Sequence, residues 1–188
     1  MVSRTESLLD CEGTVCKQCF SSDSMLYSYN FIFVTTCVVG SSINPALDIG
    51  QIEGAFIQGM GWCTMEEVIY GDDDHTWIRP KGKVFTSGPG TYKIPAFNDV
   101  PQVFNVSLMQ NADNPFAVHS SKAIGEPPFF LGCSVFYAVK DALKDARNGK
   151  GYFELRMPAT SERIRMACID EFAVSCRGSE SLQVKGSH

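Results

Sequence analysis

Eight residues, Ser121-Lys122-Ala123-Ile124-Gly125-Glu126-Pro127-Pro128, constrain this chain more than any other stretch. They set one carboxylate, Glu126, between a glycine and two prolines, directly ahead of an apolar run. Gly125 permits backbone shapes closed to other residues. Pro127 is expected to push Glu126 out of the helical region toward an extended conformation. Proline also suits the first turn of a helix, where its missing N–H would have no partner anyway. Phe129 to Leu143 then reads as a mostly buried helix. Glu126 is therefore expected on a stiff turn at the mouth of a helix N-terminus, a place where a carboxylate can be held for chemistry.

The 188 residues suffice for one or two domains, and 44% hydrophobic content supports a real core. A net charge of −5 argues against nucleic acid as the main partner, because phosphate binding needs a basic face. No window approaches the roughly 18 apolar residues of a membrane span. The nearest, Phe31 to Val39, reads better as a buried strand. It also lies too far from Met1, and follows no basic region, to be a signal peptide. Eight cysteines with irregular spacing, three of them (Cys63, Cys133 and Cys168) inside apolar helical patterns, suggest mostly free thiols in a reducing, cytoplasmic setting. Cys16 and Cys19 have C-x-x-C spacing. A zinc site would need a second pair, and no suitable one follows.

Residues 1–39 lack clear periodicity up to the candidate strand and are expected to be divergent or disordered. Residues 40–173 carry the organised part, and 174–188 read as a flexible tail. Asp48 is placed to cap a helix over 49–70, with Ile52, Phe56, Met60 and Cys63 on its buried face. Its glycines at 50, 54, 59 and 61 imply close approach of another helix or of a ligand. Asp72-Asp73-Asp74 reads as a solvated loop, and residues 82–95 as turn material. Phe104, Val106 and Leu108 alternate with Asn105, Ser107 and Met109, giving a strand with one buried face. Thr160 caps a final helix with Ile164, Cys168 and Phe172 inward. His75 and His119 have no partner at ligand spacing and are assigned no role. Single strands mixed with long helices give a fold class of α/β, or mixed α+β.

Three stretches carry a family resemblance: residues 40–56, from Gly40-Ser41-Ser42-Ile43-Asn44-Pro45 to Gly54-Ala55-Phe56; residues 121–128; and residues 158–168, Pro158-Ala159-Thr160-Ser161-Glu162-Arg163-Ile164-Arg165-Met166-Ala167-Cys168. In order and spacing they resemble the C-terminal end of the xanthine dehydrogenases, a family of molybdenum hydroxylases. The Gly-Glu-Pro-Pro form is closer to these than to the related aldehyde oxidases. The resemblance implies an incomplete C-terminal part of a molybdopterin-binding domain. It implies that Glu126 is the general base, and that Gln51 and Ile124 contact the molybdenum-molybdopterin cofactor. It implies hydroxylation of a purine such as hypoxanthine or xanthine, or of an aldehyde, in a cytoplasmic homodimer. Electrons would leave through 2Fe-2S clusters and FAD carried on domains upstream of this segment.

The residues fit that role on their own terms. A general base must be ionised yet able to accept a proton, and burial and a helix N-terminus would push Glu126 in opposite directions. The bland alternatives are that Glu126 caps its own helix or pairs with Lys122, and that Gln51 is an exposed residue in a helix's first turn. Most of the cofactor cradle, and the substrate-gripping arginine and glutamate of the family, have no counterpart in these 188 residues. The fragment alone is therefore expected to bind no cofactor and to be inactive. A non-catalytic product that pairs with full-length subunits is the competing reading. A small zinc module on Cys16 and Cys19 is the third.

Overall fold

The computed structural model describes residues 3–6, 11–16, 32–148 and 151–177. Cys19 and residues 178–188 of the expected tail lie outside the described residues. By its internal contacts the chain falls into two compact units. One holds Met1–Met60 with Pro95–Ala138, the other Gly61–Ile94 with Val139–His188. This division cuts across the single 40–173 segment expected from the sequence.

The first unit holds a four-stranded sheet. Strands β1 (Ser3–Glu6), β2 (Cys11–Cys16), β3 (Ile32–Cys37) and β4 (Val103–Leu108) lie in that order. The β1–β2 and β2–β3 pairs are antiparallel, and β3–β4 is parallel. Ten residues of the 1–39 segment thus form two strands, where the lack of periodicity had suggested none. In and just after β3 the faces alternate as pleating requires: Thr35, Cys37 and Val39 are buried, while Val34 and Thr36 are exposed. β4 alternates as well, with Phe104, Val106 and Leu108 half-buried.

Helix α1 (Pro45–Thr64) covers the inner face of this sheet. It starts four residues earlier than expected. Pro45 opens it, and the Asn44 carbonyl accepts from the N–H groups of Leu47 and Asp48. Asp48 sits in the first turn instead of ahead of it, where it accepts a hydrogen bond from the Ser42 hydroxyl. The helix stops six residues short of Tyr70. There Met65 and Glu66 both donate to the Gly61 carbonyl, which ends the ladder. Its buried face is the expected one: Ile52, Phe56, Met60 and Cys63, joined by Ala55. Cys37, Val39 and Ile52 form one core cluster, against which Val106, Leu108, Ile124 and Leu131 pack. Phe56, Met60 and Val135 form another, with the Phe56 and Phe104 rings edge to face at 5.3 Å.

The buried helix expected from Phe129 is two elements. A 3-10 helix covers Pro127–Gly132, and α2 covers Cys133–Ala146. Phe130 and Tyr137 are exposed, so the run is less buried than its composition suggests.

In the second unit the segment after α1 turns back on itself. Tyr70 bridges Val84, Gly71 donates to Lys83, and Phe85 donates to Ile69. Thr160 caps α3 (Ser161–Ala167) as expected, its hydroxyl accepting from the Arg163 N–H. That helix does not continue to Phe172. Cys168 is extended (φ −67°, ψ 141°), and Asp170 caps a separate α4 (Glu171–Arg177) by accepting from Ala173. Ile164 is buried as expected, Cys168 only partly, and Phe172 is exposed. Arg163 ties α3 to the post-α1 segment through Glu67, with the two side chains 11% and 21% exposed, and also donates to the Pro158 carbonyl.

Candidate active site

The site lies wholly in the first unit, where two of the three quoted stretches meet. Val39–Ser41 runs against Ser120–Lys122. Gly40 bridges Ser121, Ser41 donates to the Ser120 carbonyl at 3.3 Å, and Lys122 donates to the Val39 carbonyl at 3.2 Å. Only glycine suits position 40. Its φ is +75°, and a Cβ there would lie 1.7 Å from the Ser120 carbonyl oxygen. On the other side His119 and Ser120 both occupy the left-handed region, at φ 52° and 54°. The Asn114 side-chain amide donates to the Ser121 carbonyl and steadies this turn. Asn114 and the strained pair at 119–120 do not stand out in the sequence as part of a site, whereas Gly40 opens the first of the three quoted stretches.

From this anchor the chain passes the first turns of α1. Ile124 packs half-buried on the cluster of Cys37, Val39 and Ile52. Gly125 faces Gln51, and a Cβ on Gly125 would meet the Gln51 Oε1 at 3.2 Å. Ile52 turns into the core, which leaves its neighbour Gln51 on the exposed side, about 100° around the helix. Glu126 follows at once. Residues 75 positions apart in the chain, Gln51 and the turn at Gly125-Glu126, thus lie in one small region.

Two details of Glu126 differ from expectation. Its backbone is helical (φ −109°, ψ −34°), not extended, because its carbonyl already accepts the Phe129 N–H at 2.9 Å and so begins the 3-10 helix. Its side chain is exposed, not buried. Gly125, for its part, has no positive φ; its smallness makes room for the Gln51 amide. The bland roles for Glu126 fail. Its side chain makes no capping bond, and among the described residues it forms no ion pair with Lys122. Among the described residues the carboxylate has no hydrogen-bond or ion-pair partner. Gln51 is exposed, as the plainer reading had it, but it lies beside the Glu126 turn.

The other chemistry-bearing groups lie elsewhere. His75, given no role from the sequence, is buried, and its Nδ1 lies 2.8 Å from the Asp72 carboxylate. That carboxylate also accepts the His75 and Asp74 N–H groups. The His75 side-chain hydrogen bond is the chief reason that the Asp72 carboxyl titrates below its ordinary range. The acidic run is thus a folded loop around one histidine, not merely a solvated one. Burial raises the Cys168 thiol. No disulfide among the described residues joins Cys37, Cys63, Cys133 or Cys168. The side chain of Cys16 lies outside the described residues, as does Cys19. Among the described residues no cluster of three His, Cys, Asp or Glu is placed to hold a metal ion.

The main-chain N–H groups of Ala123, Ile124, Gly125 and Glu126 have no hydrogen-bond partner among the described residues. Beside them lie the Gln51 amide and the free Glu126 carboxylate. Unpaired main-chain donors with the Gln51 and Glu126 side chains offer donors and acceptors that suit one edge of a polar, phosphate-bearing cofactor. They do not enclose such a group.

Residues 33–101 match the sequence profile of a molybdopterin cofactor-binding domain. The chain is 61% identical over 135 residues to xanthine dehydrogenase of Oryza sativa subsp. japonica, covering 70% of this chain and 10% of that protein. It is 54% identical over 145 residues to xanthine dehydrogenase/oxidase of Gallus gallus, covering 76% and 10%. The chain thus spans about a tenth of the length of these relatives. Among solved structures it superposes on quinoline 2-oxidoreductase of Pseudomonas putida 86 with a TM-score of 0.62 at 27% identity, over 84% of this chain and 18% of that one. The fold is shared with a copper- and molybdenum-containing CO dehydrogenase, at a TM-score of 0.58. By these relatives the chain belongs to the xanthine dehydrogenase family of molybdenum hydroxylases and carries part of the molybdopterin-binding domain.

Proposed function

We infer that this segment forms the base-bearing wall of a molybdopterin site that hydroxylates purines such as hypoxanthine or xanthine. What supports this reading is the Gln51 amide against Gly125, one residue ahead of Glu126, whose side chain makes no capping bond. When bound, the molybdenum centre would supply oxygen transfer and accept two electrons. Gln51 would hold the cofactor through its side-chain amide. Ile124, fixed by the core behind it, would present its main-chain N–H to the same group. Glu126 Oε would take up a proton as the electron-poor carbon is attacked, and its freedom from other hydrogen bonds leaves it able to do so.

The iron–sulfur and flavin groups, the grip on the purine and the pairing of subunits would belong to the rest of a longer protein. In that setting the enzyme would be a cytoplasmic homodimer of purine catabolism. By itself the chain offers one open wall, and a cofactor of this size needs contacts from several segments. Purified from a molybdopterin-producing host, the 188-residue chain is expected to carry no stoichiometric molybdenum and to leave xanthine unchanged. Grafted in place of the matching segment of the rice relative, it is expected to support xanthine oxidation. A folded graft without that activity overturns the reading.

A second reading is favoured by one observation. Ile43, Leu47, Phe97 and Phe116 are 67% to 98% exposed, an unusual load of bare apolar side chains for one small unit. The chain would then act as an interaction module for longer subunits. It would co-purify with the rice relative when the two are expressed together, and a clean monomer would contradict it.

A further inference from the structure

Gln51 Oε1 lies against Gly125, the residue before Glu126, yet among the described residues no hydrogen bond ties Gln51 to Glu126. Their spacing must come from the elements that carry them. Helix α1 and the 3-10 helix Pro127–Gly132 touch backbone to backbone. A Cβ on Gly132 would lie 2.3 Å from the carbonyl carbon of Gly59 and 2.4 Å from the Met60 nitrogen. A Cβ on Gly59 would lie 2.0 Å from the Phe129 carbonyl oxygen. Main-chain atoms cannot swing aside as a flexible side chain can. Gly50 and Gly54 of the same helix differ: nothing lies within 4 Å of a Cβ at either.

Gln51 precedes Gly59 by just over two helical turns, roughly 12 Å of rise. Glu126 precedes Gly132 by six residues on the opposing element. The far end of the same pair of segments is fastened where Gly40 meets Ser120 and Ser121. The geometry points to Gly59 and Gly132 as positioning residues, a backbone clamp that sets the distance between the Gln51 amide and the Glu126 carboxylate. Its importance for catalysis rests on the molybdopterin reading; its geometry does not. A methyl group at 132 would have to retreat by roughly 1 Å to reach ordinary carbon–carbon contact, and the helix and the turn would part by that amount.

The test uses the full 188-residue chain with genetically encoded nitroxides at positions 51 and 126, both exposed. Thiol labels would be confounded by eight cysteines. Dipolar broadening reads the label spacing, and circular dichroism reads the fold. The parent and Gly54→Ala are expected to show one narrow, shared distance. Gly132→Ala is expected to keep its helical signal while its distance shifts by roughly 1 Å or more, or broadens. A folded Gly132→Ala with the parent's distance overturns the clamp. If that variant fails to fold, the isotope-labelled parent decides. A nuclear Overhauser contact between the Gly59 and Gly132 α-protons is expected, and its absence overturns the proposal. Neither measurement requires cofactor. An inactive graft would overturn the functional reading and leave the clamp standing.

Discussion

Gly40 shows how much one residue carries. Its positive φ and the carbonyl 1.7 Å from where a Cβ would stand are independent reasons against any side chain. Gly40→Ala is expected to destabilise the chain by more than about 1 kcal/mol in urea unfolding. A neutral Gly40→Ala would mean that Val39–Ser41 does not run along Ser120–Lys122. Asp72 makes a pH-dependent case. His75 holds its carboxyl below the ordinary value of 3.8. A depressed folded pKa contributes stability that is present above the unfolded value and lost as pH falls through the folded one. The melting temperature of Asp72→Asn is therefore expected to fall below the parent's near neutral pH, and the gap to close in acid below 3.8. A gap independent of pH would contradict that pairing. At this scale the sequence was partly legible. Glycine beside two prolines marks a fixed turn, so the location of Glu126 could be read. Its exposure and helical backbone could not, because they depend on the Phe129 N–H closing a turn and on which segments cover the side chain.

At the scale of elements, periodicity found the buried faces of α1 and β4 but misjudged helix ends. Residue period is blind to a break that keeps phase. Ile164, Cys168 and Phe172 are spaced as one helix, yet Asp170 competes for the Ala173 N–H and starts a new one. The extra turn assigned to α1 failed for a related reason, since two amides share the Gly61 carbonyl. β1 and β2 were missed because their strand character comes from pairing, β1 with β2 and β2 with β3, not from alternation of their own. The third family stretch acts in the second unit through Arg163. Breaking a mostly buried ion pair by removing one partner leaves the other stranded. Arg163→Met is thus expected to cost about 3 kcal/mol in equilibrium unfolding. A loss below about 1 kcal/mol would class the Arg163–Glu67 contact with ordinary surface pairs.

At the scale of the whole molecule, family membership follows from residue identity, and the site follows from a crossing of segments that composition alone does not reveal. Two stretches, at 40–56 and 121–128, are joined by a bridge at Gly40, a shared core under Ile124 and the Gly59–Gly132 contact. Together they present Gln51 and Glu126 on one open face. The division of labour between those two residues is the central claim, and one paired measurement tests it. In the rice enzyme carrying this segment as a graft, molybdenum content and xanthine turnover are measured on the same samples. Glu126→Gln is expected to keep its molybdenum while turnover per metal falls by about 10²- to 10⁴-fold. Turnover per metal equal to that of the unsubstituted graft would contradict the assignment of Glu126 as the base.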